Sequence, residues 1–125
     1  MAGEKLFENK IKDYLKYSGA WEIKYWGGGQ FTKAGIPDLL ICHMGMFIAV
    51  EIKADDGRPS AVQLVTLREI DKSGGYAILL YPDMFETFKL FIDSITHGDL
   101  IKANEYYAIM QRRRLTWNKK LKIRQ

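Results

Sequence analysis

Apolar residues recur at helical spacing over residues 4–17, where Phe7, Ile11, Tyr14 and Leu15 stand among Glu, Lys and Asp before Ser18-Gly19 breaks the pattern. This predicts an amphipathic first helix. Residues 20–26, rich in aromatic and β-branched side chains, predict a strand, and residues 27–34 a glycine-rich loop. Two apolar runs of strand length follow, one through Leu39-Leu40-Ile41-Cys42 and one through Phe47-Ile48-Ala49-Val50-Glu51-Ile52-Lys53, joined by residues 43–46. They predict a β-hairpin, within which a tight Met44-Gly45 turn keeps the same register. Residues 54–59 are rich in turn formers, and Ser60 with Gln63 three positions on fits a capping box at the start of a helix reaching about residue 72. Leu64, Leu67 and Ile70 form its buried face. Residues 76–81, a nearly continuous apolar run between Gly75 and Pro82, predict a buried strand parallel to its neighbour and reached by a right-handed crossover. Asp83 and Glu86 suggest a cap for a helix over residues 84–96, and Asp99 caps a further helix through Tyr106, Tyr107 and Met110.

The hairpin concentrates the chemistry. If Cys42 and Phe47 close the loop, Leu40 faces Ala49 and Asp38 faces Glu51. Asp38, Glu51 and Lys53 then emerge on one face, while Leu39, Ile41, Ile48, Val50 and Ile52 line the other. Facing carboxylates about 5 Å apart at Cβ repel by on the order of 3 kcal/mol at an effective dielectric near 20. A cation, a shared proton or a lysine must answer that charge. Lys53 is near, and a divalent ion answers it more fully, since Mg²⁺ is held by one or two carboxylates plus waters and a substrate phosphate.

Pro37-Asp38, twelve residues, then Glu51-Ile52-Lys53 resembles the PD-(D/E)XK nuclease signature. Within that superfamily, Gly35-Ile36-Pro37-Asp38-Leu39-Leu40 and the later Gln63 resemble the VRR-NUC family, over roughly residues 4–93. The resemblance implies a restriction-endonuclease-like α/β fold, with a central mixed β-sheet flanked by helices in the order α-β-β-β-α-β, to which the periodicity adds C-terminal helices. The expected organisation is a core over residues 1–97 and, outside the resemblance, a helical, basic extension of the same domain over residues 98–125. It also implies roles for two side chains whose plain readings differ. Glu8 reads as a helix residue paired with Lys12 at i,i+4, and by resemblance as an extra acid of a metal site. Gln63 reads as a cap, and by resemblance as a contact near the reacting phosphate, two duties that one amide does not easily combine.

Composition adds little to this picture. A net charge of +4 and a pI near 9.1 suit a polyanionic partner without requiring one. The lone Cys42 excludes an internal disulfide framework, fits a reducing compartment and reads as a small core residue. No apolar stretch approaches the roughly 20 residues that span a bilayer, so the expected setting is cytoplasmic, in a bacterium or a phage-infected host, with no membrane partner. The glycines at residues 27–29 with Lys33 suit phosphate contact as well as a flexible connector. Arg112, Arg113, Arg114, Lys119 and Lys120, interleaved with Trp117, suit phosphate contact plus base stacking, or else a solvated, frayed tail.

The expected activity is metal-dependent endonucleolytic hydrolysis of DNA phosphodiesters. Asp38, Glu51, the Ile52 carbonyl and Glu8 would hold Mg²⁺, with Mn²⁺ as a substitute. Lys53 would stabilise charge growing on phosphorus, and Gln63 would position Lys53, water or phosphate. The chain has no evident sequence-reading module, which points to branched DNA such as junctions, forks or flaps. A homodimer through the first helix or the C-terminal helices would place two sites on such a substrate. The rival readings are a non-catalytic nucleic-acid-binding module on the same fold and a plain α/β interaction domain.

Overall fold

The computed structural model describes residues 2–26 and 33–125; the glycine-rich segment read as a phosphate-contacting loop therefore lies outside the described residues, apart from Lys33 and Ala34. The chain runs α1 (Ala2–Tyr17), β1 (Trp21–Lys24), β2 (Leu39–His43), β3 (Met46–Ile52), α2 (Ala61–Lys72), β4 (Tyr76–Leu80), a 3-10 turn (Pro82–Met84), α3 (Phe85–Thr96) and α4 (Leu100–Lys120). The four strands form one mixed sheet in the order β1-β2-β3-β4, antiparallel except for the parallel β3–β4 pair. The protein is thus a mixed α/β fold with helices flanking a mixed sheet and two further helices at its C-terminal end.

The hairpin register is the predicted one, with Leu40 opposite Ala49 and Cys42 opposite Phe47. The loop is tighter than residues 43–46, because His43 pairs with Met46 and only Met44-Gly45 turn the chain. Both turn residues have positive φ, 50° and 81°. That conformation matches the twist of the strands it joins, and holding Met44 in it costs about 1 kcal/mol.

Alternation along the strands sorts the sheet into two unlike faces. Leu39, Ile41, Ile48, Val50 and Ile52 are fully buried in one core with Phe7, Ile11 and Leu15 of α1 and Phe88, Phe91 and Ile92 of α3. Edge-to-face ring pairs tie that layer together, Phe7 to Phe85 at 5.7 Å and Tyr76 to Phe91 at 4.9 Å. The face carrying Leu40, Ala49 and Glu51 meets α2, and there Gly35 is indispensable. Its φ is +77°, and a Cβ would stand 2.7 Å from the Val62 carbonyl oxygen and 2.8 Å from Thr66 Oγ1. Only glycine lets the chain turn against α2 and deliver Pro37-Asp38 to the start of β2.

Two local expectations are corrected, and one of the two readings of the C-terminal segment is removed. Cys42 is exposed; it lies on the α2 side of the hairpin beyond the reach of that helix, beside exposed Trp21 and Phe47. Asp83 does not cap α3, whose N-terminus has no side-chain cap, because its carboxylate accepts a 2.7 Å hydrogen bond from Arg113. The basic C-terminal segment is no frayed tail: α4 continues helically to Lys120, and Arg68 Nε donates to the Gln125 carbonyl at 3.2 Å. No helix among the described residues is long and apolar enough to cross a membrane.

Candidate active site

β2 and β3 deliver Asp38, Glu51 and Lys53 to one end of the sheet. Asp38 lies just before β2, where its carbonyl accepts from the Tyr25 amide at 2.8 Å. Its Oδ2 accepts from the Ile52 amide at 2.8 Å, which pins the carboxylate across the hairpin beside Glu51. The Lys53 amide donates to the Leu80 carbonyl at 3.0 Å, so β4 holds the lysine in place. Lys53 Nζ stands 3.6 Å from Glu51 Oε2.

Glu51 is 3% exposed, and its Oε1 has no hydrogen-bond partner. Burial, reinforced by the charge of Asp38 and only partly opposed by Lys53, pushes its pKa up to about 8. A carboxyl kept protonated near neutrality by desolvation and a neighbouring carboxylate is the electrostatic state that a bound cation reverses.

Gln63 completes the cap of α2 and also reaches the buried Glu51 carboxyl. Its Oε1 accepts from the Ser60 amide at 2.9 Å while Ser60 Oγ accepts from the Gln63 amide at 3.2 Å, completing the capping box. Its Nε2 donates to Glu51 Oε2 at 3.0 Å. The two ends of one amide thus couple the start of α2 to the buried carboxyl, where the sequence suggested a conflict.

Glu8 stands apart from this group. Register places Lys24 beside Leu39, so Lys24 meets α1 on the apolar side of the sheet, and its Nζ bonds Glu8 Oε1. Lys5 takes the other oxygen at 3.3 Å. Burial raises the Glu8 pKa, but the Lys24 and Lys5 ammonium groups outweigh it and hold the carboxyl below its ordinary range. Burial likewise opposes the Lys24 charge and is outweighed by the hydrogen bond to Glu8 and the nearby Asp38 carboxylate, leaving the lysine raised. Lys24 is the residue that sequence reading missed; the alternation of β1 was its only signal. The expected Glu8–Lys12 partnership does not form. Among the described residues no three His, Cys, Asp or Glu side chains gather as a metal-binding group.

The candidate phosphate contacts divide. Lys33 is exposed and 3.5 Å from Glu69. Arg112, Lys119 and Lys120 are exposed on α4, whereas Arg113 is half-buried over the Tyr81 ring at 4.5 Å. Arg114 is corrected: it is 2% exposed, donates to Gln111 Oε1 at 3.2 Å and faces Asp71 at 3.7 Å. Helical periodicity turns it inward, so its guanidinium is a structural cation. No family model, curated protein or solved structure matches the chain.

Proposed function

We infer that the protein is a metal-dependent DNA endonuclease of the PD-(D/E)XK superfamily, with motifs that resemble the VRR-NUC family and a restriction-endonuclease-like fold. One observation carries the reading: Asp38 and the buried Glu51 carboxyl, whose Oε1 has no partner, share one end of the sheet with Lys53. Two carboxylates, one with an unpartnered oxygen, fit a hard divalent cation. Asp38 and Glu51, with the Ile52 carbonyl, would hold Mg²⁺ or Mn²⁺. When bound, such an ion polarises a phosphate and makes hydroxide available from water near neutral pH.

The residues themselves do the rest. The Ile52 amide fixes Asp38, and Gln63 fixes Glu51 Oε2, so that Oε1 carries the proton and, once that proton is lost, would accept a cation. Lys53, beside these carboxylates, would stabilise negative charge developing on phosphorus. Glu8 would join the ligand set only by exchanging Lys24 for the metal, which makes it the weakest member. Branched DNA and a homodimer remain the proposed substrate class and assembly.

The test is cleavage of end-labelled junction, fork, flap and linear DNA with Mg²⁺, Mn²⁺ or EDTA. Metal-dependent cutting that falls at least about 100-fold in Lys53→Ala is expected. Salt-sensitive DNA binding without cutting under any of these conditions would favour the non-catalytic module instead.

A further inference from the structure

Behind Lys53 lies a second concave site. The turn after β3 and the last turns of α4 enclose a cleft of about 400 Å³, walled by Asp56, Arg58, Tyr81, Arg113, Trp117 and Lys120. Its α4 wall is one helical stripe, because Arg113, Trp117 and Lys120 recur at spacings of four and three. The guanidinium of Arg113 lies 4.5 Å from the Tyr81 ring centre and is anchored by Asp83 at 2.7 Å. Lys120 Nζ lies over the Trp117 ring at 4.7 Å.

The turn after β3 separates this cleft from the candidate active site and touches both. Tyr81 donates its hydroxyl to the Gly57 carbonyl at 2.7 Å. Gly57 in turn packs so closely on Lys53 that a Cβ would fall 3.1 Å from Lys53 Cβ. The turn therefore has Lys53 on one side and the cleft on the other.

We propose that this cleft seats an unpaired nucleotide of a single-stranded DNA segment running past the catalytic lysine. The proposal rests on the nuclease reading and deepens it, since it names a substrate with an unwound strand beside the cut. An aromatic ring in a concave site takes the face of a base, which is available only when the base is unpaired. Arg58 and Lys120 are both exposed and meet the backbone phosphates; Lys120 leaves the Trp117 face as the base takes it. Asp55 and Asp56, exposed on the opposite wall, repel phosphate and accept from N–H groups on the base edge, such as thymine N3–H, which orients the base inward and the backbone outward.

The test is equilibrium binding, in EDTA, of fluorescein-labelled oligo-dT to the full chain, followed by anisotropy against salt. Duplex of equal length and oligo-U are the comparison arms. Trp117→Ala should weaken oligo-dT binding roughly tenfold or more and Trp117→Phe should restore most of it. Arg58→Ala and Lys120→Ala should each lower the salt slope by about 0.7. Because Trp117 also packs on the core, thermal melts accompany its variants, and the exposed double change Arg58→Glu with Lys120→Glu carries the test if Trp117→Ala does not fold. Unchanged oligo-dT affinity in these variants, binding of duplex alone, or preference for oligo-U would overturn the proposal. Metal-dependent cutting that ignores these substitutions removes the cleft and leaves the nuclease standing. Cleft-dependent binding without cutting does the reverse.

Discussion

One cluster of buried polar side chains surrounds Glu51, another surrounds Arg114, and their valences close differently. Around Arg114, Tyr107 donates to Asp71 at 2.7 Å, Gln111 donates to Tyr107 at 2.7 Å, and Arg114 donates to Gln111 and faces Asp71. The Tyr107 hydroxyl also accepts from the Ala77 amide at 3.0 Å, tying α4 to β4. Burial pushes the Tyr107 pKa up, so it stays a neutral donor. One cation answers one anion, and the leftover groups, Arg114 Nη1 and Asn118 Oδ1, are a donor and an acceptor one turn apart. Around Glu51, two carboxylates face Lys53, with Lys24 near Asp38 already taken by Glu8, and the leftover atom is Glu51 Oε1. A cluster whose charges cancel holds a fold together. One left with an excess of carboxylate is poised for a ligand that brings positive charge.

The sharpest way to break this contrast is to remove the central cation of the balanced cluster. Arg114→Ala strands Asp71, Gln111 and the packing of a buried guanidinium stem, and should cost about 3 kcal/mol of stability in urea denaturation. Cleavage per folded molecule should hold. A variant that loses cutting while keeping its stability would move Arg114 into the functional surface.

The pH dependence of Glu51 comes next. Folded, this carboxyl keeps its proton up to about pH 8; unfolded, it ionises near 4.5. The folded state therefore binds more protons between those values. The stability that this group contributes is complete below about 4.5 and drains as pH rises through 8. Glu51→Gln abolishes that loss, so its melting temperature should gain on the wild type from about pH 5 to about pH 9. Mg²⁺ should raise the wild-type melting temperature more at the alkaline end, because the ion takes the place of the proton. A difference that does not change with pH would show that Glu51 is not perturbed.

The smallest effect separates the two duties of Gln63. Gln63→Ala removes a cap bond and a Glu51 contact and should cost about 1 kcal/mol in a thermal or urea melt. Gln63→Glu preserves the capping box but sets a carboxylate against Glu51. Its stability should fall with pH more steeply than that of the wild type, whereas the alanine variant should not show that steepening.

The element order, the hairpin register and the two faces of β2 and β3 were legible in the chain, because alternation and turn chemistry are local. From the register alone Asp38 and Glu51 become neighbours, and Ser60 with Gln63 announces its own capping box. Tertiary structure decided what happens between elements. Arg113 and Arg114 are adjacent and chemically alike, yet one meets Asp83 at the surface and the other Asp71 inside, which depends on where α4 lands on α2 and β4. Cys42 sits in an apolar run that reads as core, and it is exposed because α2 packs over β4 and β3 and leaves that end of β2 uncovered. Glu8 took Lys24 from a different element rather than Lys12 from its own helix. Local periodicity determines which side of an element a residue occupies. Only packing determines what, if anything, covers that side, and burial then sets whether a charge is a solvated ornament, a structural partner or an unanswered site.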